Sequence, residues 1–164
     1  MDKGINTLVS AYQEQIVKDD IQKTYNFLIK YVMQVKASLE KSLSQEYSFG
    51  NVSPGYLDFS YFPFLNDYLR DKKLRFGIVL NHREMRFELW LMGQNKKIQE
   101  KYWTLLKTSS WNKDCKTMPK YSVIGTVLVD KPNFEKLDDL TADIINSVAV
   151  EADKIVAYLK RQER

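Results

Sequence analysis

Two hydrophobic periods succeed one another along this chain, and their order constrains the fold more than any other feature. Ile21, Tyr25, Leu28, Val32, Val35, Leu39 and Leu43 recur every three or four residues, which places them on one stripe of a helix running to about Ser44. Leu74, Phe76, Ile78 and Leu80 then recur every two residues, as do Met85, Phe87, Leu89 and Leu91, which is the period of half-buried strands. A helical stripe and alternating strands in one chain must bury their apolar sides against each other, so an α+β architecture is expected.

The remaining segments fill in the order. Ile5 to Val17 reads as a short amphipathic helix, and Asp19 or Asp20 as the N-cap of the long one. Phe27, Tyr31 and Met33 lie off the stripe, which implies cover on a second side or a contact between copies. Ser48, Gly50, Asn51, Ser53, Pro54 and Gly55 are turn chemistry, and Tyr56 to Phe64 is an aromatic, alternating strand. Leu74 to Asn81 and Met85 to Met92 are joined by a polar turn around His82 to Glu84, the signature of an antiparallel hairpin. Gly93 ends that strand, and Asn95 to Lys107 returns to helical period with Ile98, Tyr102 and Leu105 on one side. Thr108 to Lys120 is the longest loop. Tyr121 to Val129 is a β-branched fourth strand bounded by Pro132, and Phe134 to Leu159 is a helix, either unbroken or interrupted near Leu140 and Thr141. Its buried set would be Leu137, Leu140, Ile144, Val148, Ile155 and Leu159. The expected order is helix-helix-strand-strand-strand-helix-strand-helix, with a mostly antiparallel four-stranded sheet packed with long N- and C-terminal helices. At 164 residues without a linker, 1–164 reads as a single domain.

Tyr61-Phe-Pro-Phe, Lys73-Leu-Arg-Phe-Gly-Ile-Val-Leu, Arg86-Phe-Glu-Leu-Trp-Leu, Asn95-Lys-Lys-Ile-Gln, Lys101-Tyr-Trp and Trp111-Asn112 together extend over most of the chain. In them the sequence resembles a family of small bacterial single-domain proteins classed as a domain of unknown function. The resemblance implies one domain and a bacterial source, and carries no catalytic residues to transfer.

Several kinds of chemistry lack their residues. One cysteine, Cys115, forbids an internal disulfide, and with His82 as the one histidine no Cys/His zinc site can be assembled within the chain. The 6 glycines are scattered, with neither GxxxxGK[ST] nor GxGxxG, so nucleotide hydrolysis by those routes is not expected and no cofactor is implied. A serine or cysteine triad would need His82, which the hairpin turn places in solvent. The order of elements also suits restriction-endonuclease-like nucleases, which resemble one another in a metal-binding acid on the second strand and a Glu-x-Lys on the third. Here the third strand reads Glu88-Leu89-Trp90 and the second holds no acid, so a non-catalytic relative is the most that this likeness supports. The N-terminus lacks the pattern of a secretory signal, and no apolar run approaches the ~20 residues of a membrane span, which makes the cytoplasm the expected location.

The most informative surface is the sheet face opposite the strand cores. Alternation assigns to it Tyr56, Asp58, Ser60 and Phe62 from the first strand, Arg75, Gly77, Val79 and Asn81 from the second, and Arg86, Glu88, Trp90 and Met92 from the third. A two-residue turn would set Arg75 opposite Trp90, a four-residue turn Gly77, whose missing side chain would leave room for the indole or a ligand. Asp58, Arg75, Arg86, Glu88 and Trp90 are therefore the candidate ligand-binding set, in a non-catalytic domain that takes a small molecule or a protein. The bland alternative is that Arg86 and Glu88 merely pair with neighbours under a covering layer. An enzyme using the carboxylates of Asp58 and Glu88 is a further alternative.

Charge supplies another. Residues 70–120 carry 13 Lys/Arg against 5 Asp/Glu, a net +8 within a chain of net +4. If Lys72, Lys73, Lys96, Lys97 and Lys101, with Arg70, converge on one face, they form a phosphate-binding stripe for nucleic acid; otherwise they are a solvated surface.

Overall fold

The computed structural model describes residues 2–164. Its elements are α1 (Ile5–Ile16), α2 (Asp20–Leu43), β1 (Ser48–Phe49), β2 (Phe59–Leu65), α3 (Asp67–Asp71), β3 (Leu74–Asn81), β4 (Arg86–Gly93), α4 (Lys96–Leu106), β5 (Ile124–Val129) and α5 (Leu137–Gln162). The fold is α+β, with one antiparallel sheet of five strands in the order β1-β2-β3-β4-β5. The fifth strand corrects the expected four. Ser48 and Phe49 sit in a stretch rich in turn residues, and only pairing with Leu65 and Phe64 makes a two-residue strand of them.

One face of the sheet is covered by α2 and α5. Phe62, Phe64, Phe76, Ile78, Leu80, Phe87, Leu89 and Leu91 point into a core shared with Leu28, Tyr31, Val32, Val35 and Leu39 of α2. From α5 the core takes Leu140, Ile144, Val148, Ala152, Ile155 and Leu159. Ala152 completes a stripe that hydrophobicity alone had left open, and α5 runs unbroken past Thr141, whose hydroxyl meets that of Tyr31 at 2.9 Å. Tyr31, expected off the stripe, is fully buried, its ring edge-on to Phe87 and Phe134. Phe27 and Met33 stay exposed.

Local chemistry sets the ends. Asn66 and Asn95 cap α3 and α4 by accepting the N–H of Leu69 and Ile98. Asp19 stands at the N-cap of α2, but in the left-handed region at φ 68°, and its carboxylate caps nothing. The last turn of α5 is pinned where Glu163 accepts the hydroxyls of Tyr68 and Tyr102, with Lys72 at 3.4 Å. No residue of α1 is buried, although Leu8, Val9 and Tyr12 form an apolar side.

The first strand departs from expectation in a way that matters for function. β2 begins at Phe59, because Asp58 Oδ1 accepts the N–H groups of Tyr56 and Phe59 and closes a turn with Leu57 at φ 63°. Register then places Phe59, Tyr61 and Pro63 beside Asn81, Val79 and Gly77 on the face away from the helices. Ser60 and Phe62, assigned to that face from sequence, lie in the buried layer instead. Both parities of this segment are aromatic, so a period of two cannot say which side faces in, and a one-residue slip exchanges them.

Candidate functional site

The hairpin turn comprises residues 82–85, so Gly77 pairs with Trp90 and Arg75 with Met92. Asn81 fixes the turn by accepting the N–H groups of Arg83 and Glu84 through its side-chain oxygen. The space over Gly77 is not left for a ligand. A Cβ there would lie 2.6 Å from Met92 Cε, so the methionine side chain occupies it. The indole leans the other way, over Gly125 of β5, where a Cβ would stand 3.5 Å from its Cδ1.

Glu88 organises this side of the sheet. Only 7% exposed, it accepts hydrogen bonds from Arg86 Nε at 2.8 Å, Trp90 Nε1 at 2.9 Å and Asn81 Nδ2 at 3.0 Å. The ion pair holds the Arg86 guanidinium above its ordinary value, chiefly through the bond to Glu88. Such a carboxylate orients its neighbours, and three of its roughly four acceptor sites are already taken.

Beside this network the sheet face opens into a cleft of about 730 Å³. Tyr61, Arg75, Trp90 and Met92 line it from the strands. The 53–59 loop borders it with Tyr56 and Asp58, the start of α4 with Lys96 and Gln99, and the segment 118–121 with Lys120 and Tyr121. Phe59 stands edge-on to Trp90, ring centroids 4.9 Å apart, and holds the indole upright as a wall. Behind that wall lies a smaller cavity of about 220 Å³, lined by Arg86, Glu88, Asn112 and Cys115.

The five residues singled out from sequence thus divide. Asp58, Arg75 and Trp90 line the larger cleft; Arg86, Glu88 and Trp90 line the smaller. Asp58 and Glu88 share neither. Backbone N–H bonds from Tyr56 and Phe59 hold the exposed Asp58 carboxyl below its usual range. Arg75 forms no salt bridge among the described residues, and its Nε is buried with no hydrogen-bond partner.

Sequence reasoning missed Phe59, Tyr61, Gln99, Lys120 and Tyr121. The first two were hidden by the parity of β2 and Lys120 by a loop without period, while Tyr121 was expected inside the strand that in fact begins at Ile124. It also misplaced His82, which is half-buried, its Nε2 2.7 Å from Ser60 Oγ and its N–H on Asp58 O. Ser60 spends its own proton on Pro54 O at 2.6 Å, so His82 Nε2 carries the hydrogen that it donates to Ser60. This pair ties the 53–60 loop to the hairpin turn; the serine, wholly buried, is no nucleophile.

The lysines converge only in part. Gln94 N–H donates to Lys73 O, which brings Lys73 beside the start of α4 with Lys96 and Lys97. Lys72 is engaged with Glu163, Lys96 with Glu100 at 3.7 Å, and Lys101 with the Tyr102 ring.

No helix among the described residues is long and apolar enough to cross a membrane. Neither a curated protein nor a solved structure matches the chain. Over residues 5–159, which include both cavities, it matches one family model, and the chain accordingly belongs to the family described as Domain of unknown function (DUF7000).

Proposed function

We propose that this protein is a non-catalytic binding domain whose small-molecule ligand occupies the cleft between Trp90, Arg75 and the 118–121 segment. The observation that carries the reading is the cleft itself. At about 730 Å³ it lies in the range of ligand sites, and aromatic and thioether side chains wall it while few polar groups converge on it. The non-catalytic part rests on the carboxylates: Glu88 is committed to three donors and Asp58 to two.

The test is mass spectrometry of the protein purified from its native host, followed by rebinding of whatever compound is released. Retention by the native chain and loss in Tyr61→Ala and Trp90→Ala supports the reading. A compound retained equally by both variants refutes the location, and turnover of any substrate that Glu88→Gln abolishes refutes the non-catalytic assignment.

A second reading, association with nucleic acid, draws on the Lys73–Gln94 bond that gathers Lys73, Lys96 and Lys97. Binding of that kind weakens steeply with salt. Absence of any gel shift with single- or double-stranded probes at about 50 mM salt, where phosphate contacts are strong, removes it.

A further inference from the structure

The cleft carries more information than its size. Its charged lining residues are Arg75, Lys96 and Lys120 against Asp58 alone. Asp58 Oδ1 is spent on backbone N–H groups, Lys96 and Lys120 are exposed at the rim, and Arg75 rises from the floor. Arg75 Nε is one of two buried side-chain polar atoms without a partner among the described residues; the other, Ser109 Oγ, lies outside the cleft. No hydrogen bond or salt bridge engages the Arg75 guanidinium among the described residues; its Nε is covered by protein, so the terminal nitrogens are the donors left to face the cleft, and a part-buried guanidinium of this kind is normally completed by an acceptor.

Two features set beside Arg75 agree on what that something is. The α4 helix begins at the cleft, so its positive end and the amide of Gln99, whose oxygen is already taken by Gly93 N–H, favour an acceptor or an anion there. Trp90 lies diagonal to Arg75 across the β3–β4 pair, with Met92 between them over Gly77. Diagonal neighbours in an antiparallel pair stand about 7–8 Å apart, the length of a ring carrying an acid group. Exposed Tyr56 and Tyr121, 94% and 51% accessible, supply further ring surface at the mouth.

We infer that the ligand is a planar aromatic anion, its carboxylate or phosphate bound by Arg75 and its ring laid against Trp90 and Met92. This rests on the cleft being the binding site. Planar fork donors suit either anion, and the ring discriminates against inorganic ions.

The experiment titrates the full ¹⁵N-labelled chain with 2-naphthoate, 2-naphthyl phosphate, the neutral isostere 2-naphthamide, and inorganic phosphate. The readout is the Trp90 indole N–H resonance, assigned by its loss in Trp90→Phe. At least one naphthyl anion should bind about tenfold or more tightly than the amide, with inorganic phosphate weaker than either. Arg75→Gln should remove that preference by weakening the anions far more than the amide; which naphthyl anion wins distinguishes carboxylate from phosphate. Equal affinity for anion and amide in the native chain overturns the inference while the cleft reading stands, and that comparison needs no variant to fold. A preference that survives in a folded Arg75→Gln overturns the role of Arg75. No Trp90 response to any probe at millimolar concentration overturns the cleft reading itself.

Discussion

Truncating Trp90 separates a wall of an open site from a member of a closed core. A fully buried tryptophan replaced by alanine costs about 3–5 kcal/mol. Trp90 is only partly buried, since one side faces the cleft and the other lies over Gly125 and against Phe59. Scaling the loss to the covered greater part of the ring gives about 2–3 kcal/mol for packing, the edge contact with Phe59 included. The bond from Nε1 to Glu88 adds about 1 kcal/mol, and no more, because Glu88 keeps Arg86 and Asn81. Trp90→Ala should therefore destabilise by roughly 3–4 kcal/mol, and Trp90→Phe, which keeps most of the ring and loses the bond, by roughly 1 kcal/mol. Domains of this size hold about 5–15 kcal/mol, so both variants should stay folded. Urea unfolding followed by far-ultraviolet circular dichroism measures the losses independently of indole emission. A cycle with Glu88→Gln should return a coupling of about 1 kcal/mol. If Trp90→Ala unfolds the domain, or costs more than about 4 kcal/mol, the face is ordinary core; a loss below about 0.5 kcal/mol means that neither Glu88 nor Phe59 anchors the ring.

Arg75→Met keeps the aliphatic stem and deletes an unbonded buried donor, so ligand-free stability should stay level or rise by about 1 kcal/mol, and a clear loss in urea melts would mean that Arg75 is satisfied within the protein. Gly93→Ala should cost far more than Gly77→Ala in the same melts, because the new Cβ meets the backbone N of Gln99 at 2.7 Å in one case and the movable end of Met92 at 2.6 Å in the other. Asn112→Ala, at a site 1% exposed, strips donors from Leu106 O and Val123 O and should destabilise by about 2–3 kcal/mol, with unfolding midpoints as the check. Burial, outweighing the pull of Asp58, holds His82 below its ordinary value. The unfolded chain therefore takes up that proton first, and His82 should sap stability as pH falls through the ordinary histidine range of about 6.5 towards the folded value. The ring-proton shift of this single histidine gives the folded value directly, and a midpoint above 6.5 contradicts the burial argument. Although burial pushes the Glu163 carboxyl up, the bonds from Tyr68 and Tyr102 and the charge of Lys72 hold it below the carboxylate range. Its stabilisation should be whole above that range and lost in more acid solution, a pH dependence that Glu163→Gln should flatten.

Elements whose period reports one buried side were legible in the residues alone. Leu28, Val32, Val35 and Leu39 mark the inner stripe of α2, and Leu74 to Leu80 and Phe87 to Leu91 the inner faces of a hairpin, because 3.6 and 2 are local geometries that need no partner to be read. The open face of that hairpin, with Arg75, Arg86, Glu88 and Trp90 on it, followed from the same arithmetic. What those four side chains do to one another was decided only in three dimensions. Glu88 satisfies Arg86, Asn81 and Trp90, which removes two of the expected ligand contacts from the large cleft. The turn bond of Asp58, the parity of β2, the bridge from Ser53 to Tyr61 and the approach of residues 118–121 complete that cleft across tens of residues of chain. Periodicity says which side of an element is apolar; which polar groups find partners, and that Arg75 Nε finds none, depends on distances that only the packed sheet sets.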